Sequence, residues 1–115
     1  MSIAIDLTDE VALVTGGGSG IGEAIATTLA RAGAAVAVAD LSLESATRVA
    51  DALCGSGGKA MPLRMDIGDP ASIEAAIAQL RSELGPISIL VNNAAAWVVK
   101  EFQDTAEPGQ EEADR

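Results

Sequence analysis

Thr15-Gly16-Gly17-Gly18-Ser19-Gly20-Ile21-Gly22 is the stretch on which the reading of this chain turns. It follows Val11-Ala12-Leu13-Val14, an unbroken apolar run that suits a strand buried on both faces, as in a parallel sheet. After it, Ile21, Ala24, Ile25, Thr28, Leu29 and Ala32 recur at helical spacing, and Gly33 supplies a stop. A glycine after a strand permits a tight turn, and backbone without Cβ atoms can approach a phosphate closely. The helix start beyond it offers unbonded N–H groups and a partial positive charge. The glycines are spaced G-x-x-x-G-x-G, at Gly16, Gly20 and Gly22, and no basic side chain falls among them. Such a loop can be a plain turn, but its place between a buried strand and an amphipathic helix points to phosphate binding.

Outward from the loop the pattern repeats. A second buried strand over 35–39 closes on Asp40. Ser42 then caps a helix whose apolar face is Ala46, Val49, Ala50 and Leu53, and the glycines of 55–58 end it. Residues 59–65 read as a third strand, against which Pro62 is a mild objection. Asp69-Pro70 opens a helix with an aspartate cap and a proline in the first turn. Ile73, Ala76, Ile77, Leu80 and Leu84 form its stripe, and Gly85-Pro86 stops it. A fourth strand over 87–91 runs into Asn92-Asn93-Ala94. Strands alternating with helices through short connections predict an α/β fold, a doubly wound parallel sheet with right-handed crossovers.

Three further features fall where such a sheet gathers its strand ends. Asp40 stands about twenty residues past the glycines, where a carboxylate can accept from the ribose hydroxyls of a dinucleotide. A 2′-phosphate there would meet a like charge and no nearby Arg, which favours NAD over NADP. The competing reading, an aspartate capping the next helix, is weakened because Ser42 is available for that. Asp66, followed by Ile67, reads about equally as an acceptor for an adenine amino group or as a turn aspartate. Asn92-Asn93 places two amides at a strand end, more than a simple turn needs.

Together these motifs resemble the short-chain dehydrogenase/reductase family, over about residues 11–105. The resemblance implies a Rossmann-type sheet cut after about the fourth strand, with residues 1–105 as the dinucleotide-binding portion and 106–115 as an acidic tail that starts the next helix of a longer parent. It implies NAD as cofactor, with Gly16, Gly18, Ser19, Gly20, Ile21 and Gly22 at the pyrophosphate. Asp40 and Leu41 would sit at the adenosine ribose, Asp66 and Ile67 at the adenine, and Asn93 along the nicotinamide-side ribose, while Asn92 steadies the sheet. Where the family usually has Asn-Asn-Ala-Gly, this chain has Ala95, a methyl group beside the expected cofactor path. The family's proton relay uses a Tyr-x-x-x-Lys pair, and this chain has no tyrosine. No catalytic residue is therefore assigned, and the chain is expected to be the cofactor half of a longer oxidoreductase. Its substrate would be a secondary alcohol or ketone, with acyl thioester or alicyclic compounds compatible with the apolar Trp97, Val98 and Val99. A homo-oligomer is compatible with the resemblance.

Composition narrows the alternatives. The 115 residues carry a net charge of −10 with seven scattered Lys and Arg, which is no footprint for nucleic acid or an anionic membrane. Over 101–115, six acidic residues stand against Arg115, a stretch that reads as a solvated end or the start of the next helix, with an acidic interaction tail as the alternative. One cysteine and no histidine leave no disulfide within the chain, no zinc ligand set and no Ser-His or Cys-His nucleophile. Cys54, at the end of a helix, reads as a small buried hydrophobe. The first residues lack a signal-peptide pattern and no apolar run reaches spanning length, so a cytoplasmic protein is expected. Two other functions stay open: a non-catalytic dinucleotide-binding module, consistent with the missing tyrosine, and a methyltransferase, against which the Asn pair and glycine spacing argue.

Overall fold

A computed structural model of the chain describes residues 4–94. The expectations resting on Ala95, on Trp97 and its neighbours and on the acidic 101–115 lie outside the described residues. The elements run β1 (Val11–Thr15), α1 (Gly20–Arg31), β2 (Ala35–Asp40), α2 (Leu43–Gly55), β3 (Lys59–Arg64), α3 (Pro70–Leu84) and β4 (Ile89–Asn92). The strands form one sheet in the order β3-β2-β1-β4, and every pairing is parallel. All four strands therefore end on the same edge. The order reverses between β2 and β4 about β1, which makes β1 the switch point where such sheets open a crevice.

Burial explains the arrangement. All five residues of β1 are buried, because side chains alternate between two covered faces. On one face Ala12, Val14, Val36 and Val38 meet Ala26 of α1 and Ala46, Val49, Ala50 and Leu53 of α2. On the other, Val11, Leu13, Ala37, Met61 and Leu63 meet Ala76 and Leu80 of α3. Each large aliphatic side chain so buried contributes about 1.5–3 kcal/mol. The small Ala and Gly residues let α1 and α2 lie close on the sheet.

The caps follow the sequence. Ser42 accepts from the Ser45 amide at 3.1 Å at the start of α2, and Asp69 accepts from the Ala71 amide at 3.1 Å at the start of α3. Pro62, opposite Val38, is tolerated because β3 is an edge strand among the described residues, paired there with β2 alone.

Three expectations need correction. The fourth strand begins at Ile89 rather than at residue 87, because Ser88 bonds back to β1. Its amide donates to the Val11 carbonyl at 2.9 Å, while its hydroxyl accepts from the Val11 amide, also at 2.9 Å. The third strand closes at Arg64, one residue early, although the Met65 amide still donates to the Asp40 carbonyl at 3.0 Å. Cys54 is exposed rather than buried, with its thiol donating to the Ala60 carbonyl at 3.3 Å. It sits on the polar side of α2, one position past Leu53, which takes the buried place.

Candidate functional site

The loop of residues 16–19 turns from β1 into α1 over the ends of β2 and β4, and its glycines serve different needs. A Cβ on Gly22 would collide with the Gly16 carbonyl oxygen, so Gly22 lets α1 close onto the loop. A Cβ on Gly18 would come within 2.8 Å of both Asp40 Oδ2 and Ser45 Cβ. Gly17, which the sequence pattern does not single out, is packed against Val38 and the Val14 carbonyl, at 3.0 and 3.2 Å from a would-be Cβ. Gly20 is different. Like Gly16 it has a left-handed backbone, with φ of 56°, but a Cβ there would meet nothing within 4 Å. The helix start is thus open at Gly20, while Gly17, Gly18 and Gly22 are packed.

That helix start is also uncapped. Ser19 is the N-cap of α1, extended and exposed, yet its side chain makes no capping bond. Glu23 N–H donates to the Ser19 carbonyl at 3.2 Å, but the amides of Gly20, Ile21 and Gly22 have no acceptor among the described residues. Unbonded amides with the partial positive charge of a helix start suit an anion.

Asp40 faces this loop. Its Oδ2 accepts from the Gly18 amide at 2.9 Å and its Oδ1 from the Ser42 amide at 3.0 Å. A carboxylate offers about four acceptor positions. Two are used, and two stay available for hydroxyl donors. Leu41, next along, is exposed.

On the other side of β1, Thr15 ties the loop to β4. Thr15 is 6% exposed, and its hydroxyl accepts from the amides of Asn93 at 2.9 Å and Ala94 at 3.2 Å. It donates its one proton toward the Val91 carbonyl or Asn92 Oδ1, each at 3.3 Å. The side-chain amide of Asn93 donates to the Gly16 carbonyl at 3.3 Å. Residues 16–22, Asp40 and Asn93 are therefore gathered at one sheet edge, about the switch point.

Asp66 and Ile67 share that edge but keep other company. Asp66 Oδ1 accepts from the Gly68 amide at 2.9 Å and its own amide donates to the Ser72 hydroxyl at 2.9 Å, which is turn chemistry. No hydrogen bond joins its side chain to the glycine loop among the described residues. Ile67 is half-buried against the α3 face of the core. Ile21, by contrast, is 72% exposed at the mouth of an apolar groove along α1 with Ala24, Ile25, Thr28 and Leu29.

Sequence reasoning missed three residues. Thr15 was legible as the one polar side chain closing an apolar strand. Arg48 and Glu23 were not. The expectation that no basic group lies near the loop is corrected: Arg48 Nη2 donates to the Gly18 carbonyl at 2.9 Å and pairs with Glu23 Oε1 at 3.2 Å. A helical arginine thirty residues from its partner gives no local signal.

An open, uncapped helix start beside a carboxylate with spare acceptor positions fits a dinucleotide, whose diphosphate and ribose ask for those two things. With the parallel sheet and its switch point, it defines a Rossmann-like α/β nucleotide-binding protein. The comparisons with known proteins agree. The profile of the short chain dehydrogenase family matches residues 10–114. Oxidoreductase UcpA of Escherichia coli is 44% identical over 101 residues, spanning 88% of this chain and 38% of that protein. The 7alpha-hydroxysteroid dehydrogenase of E. coli is 41% identical over 96 residues, 84% of this chain and 38% of that one. A crystal structure of hydroxysteroid dehydrogenase from E. coli superposes with a TM-score of 0.76 at 42% identity, over 77% of this chain and 38% of the other. The chain belongs to the short-chain dehydrogenase/reductase family, which sets the methyltransferase reading aside. It spans about 38% of the length of these relatives.

Proposed function

We propose that this chain is the NAD(H)-holding part of an oxidoreductase that interconverts a secondary alcohol and a ketone. The observation that carries the reading is the hydrogen bond from the Gly18 amide to the Asp40 carboxylate. It sets a negative charge against the same loop whose helix start is open to an anion. Ser19, Gly20, Ile21 and Gly22 bind the diphosphate through backbone amides, with Gly16 and Gly18 giving the loop its close packing. Asp40 accepts from the adenosine ribose and Leu41 borders it. Asp66 and Ile67 border the adenine, and Asn93 the nicotinamide-side ribose.

NAD is favoured over NADP because a 2′-phosphate would be repelled by Asp40. Arg48, which reaches the loop, is already engaged by Glu23 and the Gly18 carbonyl. When bound, the nicotinamide supplies the hydride chemistry. The substrate class rests on likeness to a relative whose name speaks of a 7alpha-hydroxysteroid, a secondary alcohol. The 115 residues contain no tyrosine, so the proton relay implied by the resemblance is not carried by them. That favours a second reading for the chain taken alone, a dinucleotide-binding module without turnover.

Titrating NADH, NADPH and S-adenosylmethionine in turn, followed by fluorescence or heat, tests the proposal. NADH should bind most tightly. Tighter binding of either competitor would overturn the cofactor assignment. Assaying NAD reduction with a panel of secondary alcohols separates the two readings, since a module binds and does not turn over.

A further inference from the structure

Four successive peptide units carry the chain from β1 into α1, and each is held by a hydrogen bond from elsewhere in the fold or from α1. The Gly16–Gly17 unit is held at both ends, by Asn93 Nδ2 on the Gly16 carbonyl at 3.3 Å and by the Gly17 amide on the Ala39 carbonyl at 3.0 Å. The next unit is held by the Gly18 amide on Asp40 Oδ2 at 2.9 Å. The Ser19–Gly20 unit is held by the Glu23 amide on the Ser19 carbonyl at 3.2 Å. Between these two lies the Gly18–Ser19 unit, and among the described residues its one partner is Arg48, whose Nη2 donates to the Gly18 carbonyl at 2.9 Å.

The guanidinium is in turn fixed. Nη2 and Nη1 reach the two Glu23 carboxylate oxygens at 3.2 and 3.5 Å, a forked arrangement that a single charged nitrogen could not make. Glu23 belongs to the first turn of α1, so Arg48 ties α2 to the loop and to the helix that the loop opens. Arg48 is exposed, and its pairing with Glu23 alone would count for little in stability. Its effect lies in direction. In a trans peptide the C=O of one residue and the N–H of the next point opposite ways. Drawing the Gly18 carbonyl toward α2 therefore turns the Ser19 N–H away from α2, and that amide has no acceptor among the described residues. Gly18 has no Cβ to resist rotation of this unit, and the arginine is the one group among the described residues that holds its carbonyl.

We infer that Arg48 is a positioning residue for the diphosphate site: by holding the Gly18 carbonyl, with Glu23 as its anchor, it aims the Ser19 amide at the bound anion. The inference rests on the dinucleotide reading above and adds to it a residue outside the glycine motif.

The test compares the 115-residue chain with its R48M, R48K and E23Q variants, by NADH titration and by following the Ser19 amide resonance as ADP-ribose is added. In the unsubstituted chain NADH binds and the Ser19 amide shifts on titration. R48M, which keeps the aliphatic stem and removes the donors, should raise the NADH Kd about tenfold and abolish that shift, as loss of a charge-assisted bond predicts. R48K keeps one charged donor and should restore most of the affinity and the shift. E23Q should give an intermediate loss. Should R48M prove unfolded, the R48K and E23Q pair still decides, because a positioning role requires E23Q to weaken the Ser19 response more than R48K does. An unchanged Kd or an intact Ser19 shift in folded R48M overturns the inference alone. Failure of the unsubstituted chain to bind either NADH or ADP-ribose overturns the dinucleotide reading and this inference with it.

Discussion

The Thr15 hydroxyl accepts a hydrogen bond from the Asn93 amide at 2.9 Å, joining the last residue of β1 to the residue just past β4. Parallel pairing sets Thr15 opposite Asn92, so the chain leaving β4 passes directly over the hydroxyl. Asn93 then returns the contact through its side chain, which reaches the Gly16 carbonyl. The two bonds make the glycine loop and the end of β4 one unit.

Replacing Thr15 with Val keeps the shape and removes the acceptor. The half-buried Asn93 amide then loses its partner, at a cost of about 1–3 kcal/mol in unfolding free energy. Thr15→Ser should recover most of it. Urea unfolding of the three proteins checks this, and equal midpoints for Val and Thr would show that the hydroxyl is dispensable.

Asp40→Ala should weaken NADH binding roughly tenfold to a hundredfold, the worth of a charge-assisted hydrogen bond. NADPH should suffer less, because the substitution also removes the repulsion of its 2′-phosphate. The ratio of the two dissociation constants is the measurement. If it does not move toward NADPH, Asp40 does not face the ribose.

Gly22 and Gly20 should respond differently to a methyl group. Gly22→Ala drives a Cβ into the Gly16 carbonyl and should cost about 3 kcal/mol or more in stability. Gly20→Ala has room and pays only for its left-handed backbone, about 1–2 kcal/mol. Its larger effect should fall on NADH affinity, since the methyl would occupy the open space at the helix start. Thermal melts beside NADH titrations separate the two effects.

At the entrance to β1, the Thr8 hydroxyl and then the Thr8 amide donate to Asp6 and hold its carboxyl below its ordinary value of 3.8. A depressed carboxyl adds stability above its unfolded pKa, and that addition is lost as the pH falls through the folded one. A carbon-detected titration should place Asp6 below 3.8, and Thr8→Val should move it upward by removing the larger cause. An Asp6 titration unaffected by Thr8→Val would mean that the hydroxyl contact is not formed in solution.

Much of this was legible beforehand, for reasons that differ by residue. Ser42 and Asp69-Pro70 announce helix starts because a cap acts within its own turn. The glycine loop is readable because backbone geometry demands the residue type in place. Asp66 was ambiguous, and the fold shows its carboxylate serving its own turn through Gly68. Cys54 was misjudged because one step along a helix rotates a side chain by about 100°. That rotation carries it from the buried face of Leu53 to solvent.

Periodicity, caps and glycine spacing by themselves determined the alternation of strands and helices and the open loop after the first strand, since each is settled within a few residues. Only the tertiary structure decided that Gly18 meets Asp40 across 22 residues and Arg48 across 30, and that Thr15 meets Asn93 across 78. Parallel crossovers bring every strand end to one edge whatever side chains stand there. Which of those side chains then touch depends on strand order and helix packing, and neither leaves a mark in the local pattern.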